Sequence, residues 1–232
     1  MQQTATPPGT LPDAALESAY RKTAWRIIPL LVLCYLVAYL DRVNVGFAKL
    51  QMLDDLKFSE AVYGLGAGIF FIGYLLFEIP SNIALHRFGA RRWIARIMVT
   101  WGLLSAAMMF IETPMTFYVL RLLIGIAEAG FFPGIIFYLT TWFPSQRRGV
   151  MTALFIMALP ISSLFGSLIS GLILQHLDGV QGYAGWQWLF VIEGLPAVGL
   201  AAAVFFLLRD RIADAHWLTP EERQGMQAAI DR

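Results

Sequence analysis

Residues 149–177 read GVMTALFIMALPISSLFGSLISGLILQHL, a run of 29 positions without an Asp, Glu, Lys or Arg. An α-helix rises 1.5 Å per residue, so about 20 apolar residues cross the ~30 Å hydrocarbon layer of a bilayer. A stretch this long without charge reads as a membrane helix. It lacks two-residue alternation and carries several glycines, which argues against a barrel strand. Five more segments share its character. The sequence predicts spans at roughly 26–50, 61–85, 93–111, 116–142, 150–174 and 186–208.

Composition agrees. Of 232 residues, 58% are hydrophobic and 14% charged, against about 25% charged in soluble domains. With 17 basic and 16 acidic residues, no charge excess draws the chain to nucleic acid. Three histidines and one cysteine, Cys34, give no disulfide framework and too few ligands for a usual zinc site. No metal and no cofactor are expected. Residues 1–20 are rich in Thr and Pro, and the first basic residue is Arg21. This predicts a disordered tail and not a signal peptide.

Basic residues give an orientation. Arg21, Lys22 and Arg26 precede the first span; Arg87, Arg91, Arg92 and Arg96 lie around the second loop. Arg147, Arg148, Arg209, Arg211, Arg223 and Arg232 complete that side, which makes 13, whereas the other side has Lys49 and Lys57. The positive-inside rule then predicts both termini in the cytoplasm and six crossings. Trp25, Trp93, Trp142, Trp186 and Trp188 fall at predicted span ends, where indole rings anchor a helix in the interface.

Ionised side chains at mid-bilayer cost about 2.5–3.5 kcal/mol on insertion scales, so they mark function by default. The first span holds Asp41 and Arg42, and the fourth holds Arg121 and Glu128. Counted by helical rise, Asp41 lies roughly 24 Å along its span, and Arg121 and Glu128 roughly 8 and 18 Å into theirs. All four therefore share one slab. Arg121, Gly125 and Glu128, spaced i, i+4, i+7, share a helix face. Some 10 Å separates Arg121 from Glu128 along the axis, so each needs a partner elsewhere, and Asp41 or Arg42 is available. Tyr35, Tyr39, Arg42 and Gly46 form a second face that suits the wall of a wet cavity. Glu78 and Glu193, nearer span ends, divide between packing and interfacial roles.

These segments resemble the N-terminal six-helix half of a major facilitator superfamily transporter, and within it the anion:cation symporter branch of tartrate, phthalate, hexuronate and galactonate permeases. The resemblance rests on YLDRVNVGFA (39–48), FEIPSN (77–82), HRFGARRW (86–93), RLLIGIAEAGFFPG (121–134), YLTTWFP (138–144), GWQWLFVIEGLP (185–196) and AHWLTPEER (215–223). It implies an all-α fold of six membrane helices over 21–210, with 211–232 opening a central cytoplasmic linker. It also implies proton-coupled uptake of a small organic anion across the bacterial inner membrane. By resemblance, Arg42 and Arg121 hold the substrate carboxylate, with Tyr39, Tyr74 and Asn44 in the same site, and Asp41 and Glu128 carry the coupled protons. His86, Arg87, Gly89, Arg91 and Arg92 form the gating loop. His86 stands where the superfamily's loop motif has an acid.

The resemblance further implies a missing C-terminal half of six more spans, so the chain reads as a fragment whose partners are that half, the lipid bilayer, the organic anion and protons. The competing reading is a six-helix channel or structural subunit working as a dimer. An intramembrane serine hydrolase would need a histidine base at depth. His86, His176 and His216 all fall in loops or beyond the last span, so no enzyme is expected.

Overall fold

The computed structural model describes residues 12–231. Nine α-helices occur among them: α1 (Asp13–Leu56), α2 (Glu60–Phe88), α3 (Ala90–Ala107), α4 (Pro114–Glu128), α5 (Phe131–Trp142), α6 (Ser145–Ile156), α7 (Ala158–His176), α8 (Gly185–Leu207) and α9 (Pro220–Ile230). With α4–α5 and α6–α7 each counted as one bent rod, six are long and apolar enough to cross a membrane. The protein is a multi-pass all-α bundle.

Helix α1 is the axis. Its 44 residues span about 66 Å at helical rise, and it packs on α7 and α8. It starts at Asp13, inside the stretch whose composition suggests a disordered tail; residues 1–11 of that tail lie outside the described residues. The segment DAALESAY supplies good helix formers, and Ala19 and Tyr20 are buried. Tyr20 packs on Phe143 with ring centroids 6.2 Å apart, and Glu17 pairs with Arg147.

Two helix crossings set the site. Gly102 of α3 faces Gly194 of α8 so closely that a Cβ on Gly102 would lie 2.8 Å from the Gly194 carbonyl oxygen. Gly125 of α4 faces α2, where its Cβ would lie 2.1 Å from the carbonyl oxygen of Phe70. Small residues allow such backbone approach between membrane helices. The rod 114–142 is broken at Ala129–Gly130, directly after Glu128, with Gly130 at φ +83°. Ser81 Oγ fills the space beside it, 2.4 Å from where a Cβ would stand.

The remaining segment folds back under the bundle. Thr219 and Glu222 form a capping box that starts α9, and Lys22 donates to Glu222 Oε1 at 2.7 Å. Trp217 stacks on Trp142 at 5.5 Å, with the Arg26 guanidinium 5.0 Å from its ring centroid. Trp142 and Trp186 are fully buried, so they pack the core and are not interfacial anchors. Trp186 Nε1 donates to Asp55 at 2.8 Å, a partner that draws the ring inward. Trp25 is exposed, as an anchor should be.

Candidate functional site

Helix α4 carries Arg121 and Glu128 on the face that Gly125 presses against α2. The close approach sets the Phe70 ring between two cations. Its centroid lies 4.6 Å from the Arg121 guanidinium carbon and 5.7 Å from that of Arg42. Arg42 is also 5.2 Å from the Tyr74 ring. A guanidinium over an aromatic face gains about 0.5–2 kcal/mol, more when desolvated.

Arg42 donates to Glu128 in an ion pair that joins α1 to α4. Glu128 is 2% exposed, whereas the Arg42 side chain is 27% exposed, so the pair opens to one side through its arginine. Arg42 Nε has no hydrogen-bond partner. Arg121 is buried; its Nε donates to the Gly66 carbonyl oxygen at 3.4 Å. No carboxylate pairs with it among the described residues.

Asp41 goes elsewhere. The expectation that both intramembrane acids would neutralise the two arginines holds only for Glu128. Asp41 Oδ1 accepts from Asn44 Nδ2 at 3.0 Å and from Ser105 Oγ of α3. The cause is helical rotation: successive residues turn about 100°, so Asp41 and Arg42 cannot address one neighbour. Asn44, one turn on from Asp41, acts as its hydrogen-bond donor.

Tyr74 lies against Arg42, and Tyr39 is half-buried. Tyr35 is no part of a wet wall. It stacks on Phe155 at 4.5 Å and meets Phe132 at 5.6 Å. Glu193 is buried and accepts from Ser170 Oγ at 2.7 Å.

At the other end, two of the loop residues, Gly89 and Arg91, meet an acid from a different element, Asp210. Gly89, at φ +87°, is the turn between α2 and α3, and Arg91 N–H donates to Asp210 Oδ1 at 2.8 Å. Arg91 Nε lies 3.8 Å from Asp210 Oδ2. His86 rests on Phe137, centroids 4.1 Å apart. Arg87 lies over Phe88 at 5.7 Å, and Arg92 is exposed. Among the described residues no three His, Cys, Asp or Glu side chains gather to hold a metal ion.

Residues 31–230 match the sequence profile of the Major Facilitator Superfamily. The chain belongs to this superfamily. It is 55% identical over 218 residues to the putative metabolite transport protein NicT of Pseudomonas putida, covering 94% of this chain and 50% of that protein. It is 56% identical over 206 residues to a putative tartrate transporter of Agrobacterium vitis, covering 89% and 46%. It is 42% identical over 210 residues to the inner membrane transport protein RhmT of Escherichia coli, covering 90% and 49%. The chain thus spans about half the length of the curated relatives it matches. A solved bacterial homolog of the human lysosomal transporter Spinster, inward-facing and occupied, shares the fold, with TM-score 0.69 at 21% identity over 82% of this chain and 45% of that one. These proteins are transporters, and no enzyme is among them.

Within this superfamily member, sequence reasoning overlooks Phe70, Ser105 and Asp210. A phenylalanine in an apolar span and a serine near a span end carry no signal of their own. Asp210 could have been suspected, because a loop with Arg91 and Arg92 but no acid needs a carboxylate from elsewhere.

Proposed function

We propose that this chain forms the N-terminal half of a secondary transporter that takes up a small organic anion together with protons. The observation that carries the reading is the Arg42–Glu128 pair, set across the Phe70 ring from an Arg121 that has no carboxylate partner. The patch is positive by one charge before Asp41 is counted, and a substrate carboxylate matches that charge. Relatives named for tartrate and metabolite transport support the anion class.

The cycle follows from charge. With Glu128 ionised, its carboxylate holds Arg42. A proton on Glu128 removes that charge and frees the guanidinium for bidentate binding of a substrate carboxylate. Arg121 supplies the second cation, Tyr74 and Tyr39 line the approach, and Asp41, held by Asn44 and Ser105, takes a further proton on the α3 side. The second half of the transporter closes the site, and the Gly89–Asp210 turn anchors the cytoplasmic end, with both termini in the cytoplasm of a bacterial cell. Each net positive charge carried inward gains about 2.3 kcal/mol per 100 mV, so a monoanion entering with two protons is driven by the membrane potential.

The test is uptake of radiolabelled tartrate and of sugar acids by the full-length protein in proteoliposomes, with and without an inward pH gradient. Saturable uptake that collapses with a protonophore supports symport. Uptake unaffected by the gradient refutes proton coupling, and uptake that never saturates favours a channel.

A further inference from the structure

Glu193 lies in the middle of α8, away from both arginines. It is 4% exposed, its Oε1 accepts from Ser170 Oγ of α7 at 2.7 Å, and its Oε2 is buried without a hydrogen-bond partner. Buried side-chain oxygens are nearly always satisfied, and an unpaired buried charge is among the costliest features a fold can hold. No Lys, Arg or His pairs with Glu193 among the described residues.

We propose that Glu193 is a proton-binding residue of the transport cycle, forming with Asp41 a second ionisable compartment on the α3–α7–α8 side of α1. The geometry links the two acids through one crossing. Asp41 accepts from Ser105 of α3, and Ser105 Cβ is 3.0 Å from where a Cβ on Gly194 would stand. Gly194 adjoins Glu193 in α8. Within its span α8 has no other titratable residue, and α7 has only His176, at its last position. Arg91, Arg92 and Arg96 of α3 lie in its first two turns, whereas Ser105 lies in its last. Helix α1 contributes Asp41. The compartment therefore holds two carboxyls, three donors (Ser105, Asn44, Ser170) and no Lys, Arg or His paired with either acid among the described residues, which makes it a site for protons and not for an anion. Arg42, Arg121 and Glu128 form the anion compartment between α1, α2 and α4. A proton adds to a Glu193 carboxylate oxygen on loading and leaves as H⁺ on release, with no other reactant.

This rests on the proton-coupled reading above, and the experiment separates the two. Full-length protein is titrated by attenuated-total-reflection infrared spectroscopy, and the proton-to-substrate ratio is measured in proteoliposomes. Glu193→Gln is expected to remove one pH-dependent protonated-carboxyl C=O band and to lower the ratio by one proton. Ser170→Ala, a milder change, is expected to shift the frequency of that band through loss of the hydroxyl partner. A Glu193→Gln spectrum that superimposes on wild type at every pH overturns the inference, as does an unchanged ratio. Should Glu193→Gln fail to fold, a Ser170→Ala band at the wild-type frequency overturns it equally. Wild-type uptake that ignores the pH gradient refutes the proton-coupled function, while the titrating band still decides Glu193.

Discussion

Gly125 of α4 lies so close to α2 that any side chain there would meet the carbonyl oxygen of Phe70, 2.1 Å from the position of a Cβ. The contact is with backbone, which cannot swing aside as a side chain can. Gly125→Ala must therefore push α4 off α2, and with it the faces that carry Arg121, Glu128 and the Phe70 ring. Overpacking costs about 1–3 kcal/mol. The expected outcome is a lower melting temperature in detergent and strongly reduced uptake, whereas Gly64→Ala, with nothing within 4 Å, behaves as wild type.

The ion pair between Arg42 and Glu128 predicts strong coupling. Removing one partner leaves the other's charge uncompensated, at about 3–5 kcal/mol for a buried pair. Arg42→Ala and Glu128→Ala should each be severe, and the double variant should be less than additive in thermal stability. Arg42→Lys should not restore uptake, because an ammonium cannot both stack on Tyr74 and Phe70 and offer a planar fork to a carboxylate. Additive stability losses in the double-mutant cycle would contradict the pairing.

Phe70 touches both cations, so its replacement tests whether the ring organises the anion site. Phe70→Leu keeps an apolar side chain and removes the π face. At about 0.5–1 kcal/mol per cation–π contact, the expected loss is roughly 5- to 30-fold in substrate affinity, read as KM in proteoliposomes. Phe71, exposed on α2, should tolerate the same change.

The contrast between these residues shows what the sequence could convey. Six membrane helices were legible because transfer from water to lipid acts on each segment separately, and hydropathy reads that term directly. Intramembrane charges were legible because they are rare and costly. Partner choice was not, since it depends on how each helix is rotated in the bundle. Adjacent Asp41 and Arg42 look like one unit in sequence, yet the helix turns them toward different neighbours, Ser105 and Glu128. The break after Glu128 was half legible: Gly130, Pro133 and Gly134 in AEAGFFPG mark a place where a buried helix can kink. The close fit of Gly130 against Ser81 at the left-handed turn is a tertiary contact that no local pattern carries.

At the loop end, Asp210 carries an N-terminal anchor that α3 does not supply for itself. Gly89 precedes the helix and has no side chain to cap it, and Asp210 accepts from the Arg91 N–H, where a negative charge also suits the helix dipole. Loss of a capping oxygen costs about 0.5–2 kcal/mol. Asp210→Ala should lower the melting temperature and raise amide hydrogen exchange at the start of α3. Gly89→Ala should do more damage, since φ +87° is strained for alanine and its methyl would lie 3.0 Å from Asp210 Oδ2.

Acid should loosen the helix beneath the bundle. The hydrogen bond from Lys22 holds the Glu222 carboxyl below its ordinary value of 4.5. A group whose folded value is depressed stabilises the fold above its unfolded value and loses that contribution as pH falls through the folded one. Docking of α9 on α1 is therefore expected to be at full strength near neutrality and to weaken as pH drops below about 4.5. Contacts that do not titrate remain in acid, among them the Trp142–Trp217 stack, Arg26 over Trp217 and Thr23 against Met226, so α9 should become more open to exchange without the bundle unfolding. Limited proteolysis between Ala213 and Thr219 at stepped pH reads this out. Glu222→Gln and Lys22→Ala should both cleave at neutral pH as wild type does in acid. Equal cleavage of wild type at pH 7 and in acid would show that the ion pair does not hold α9.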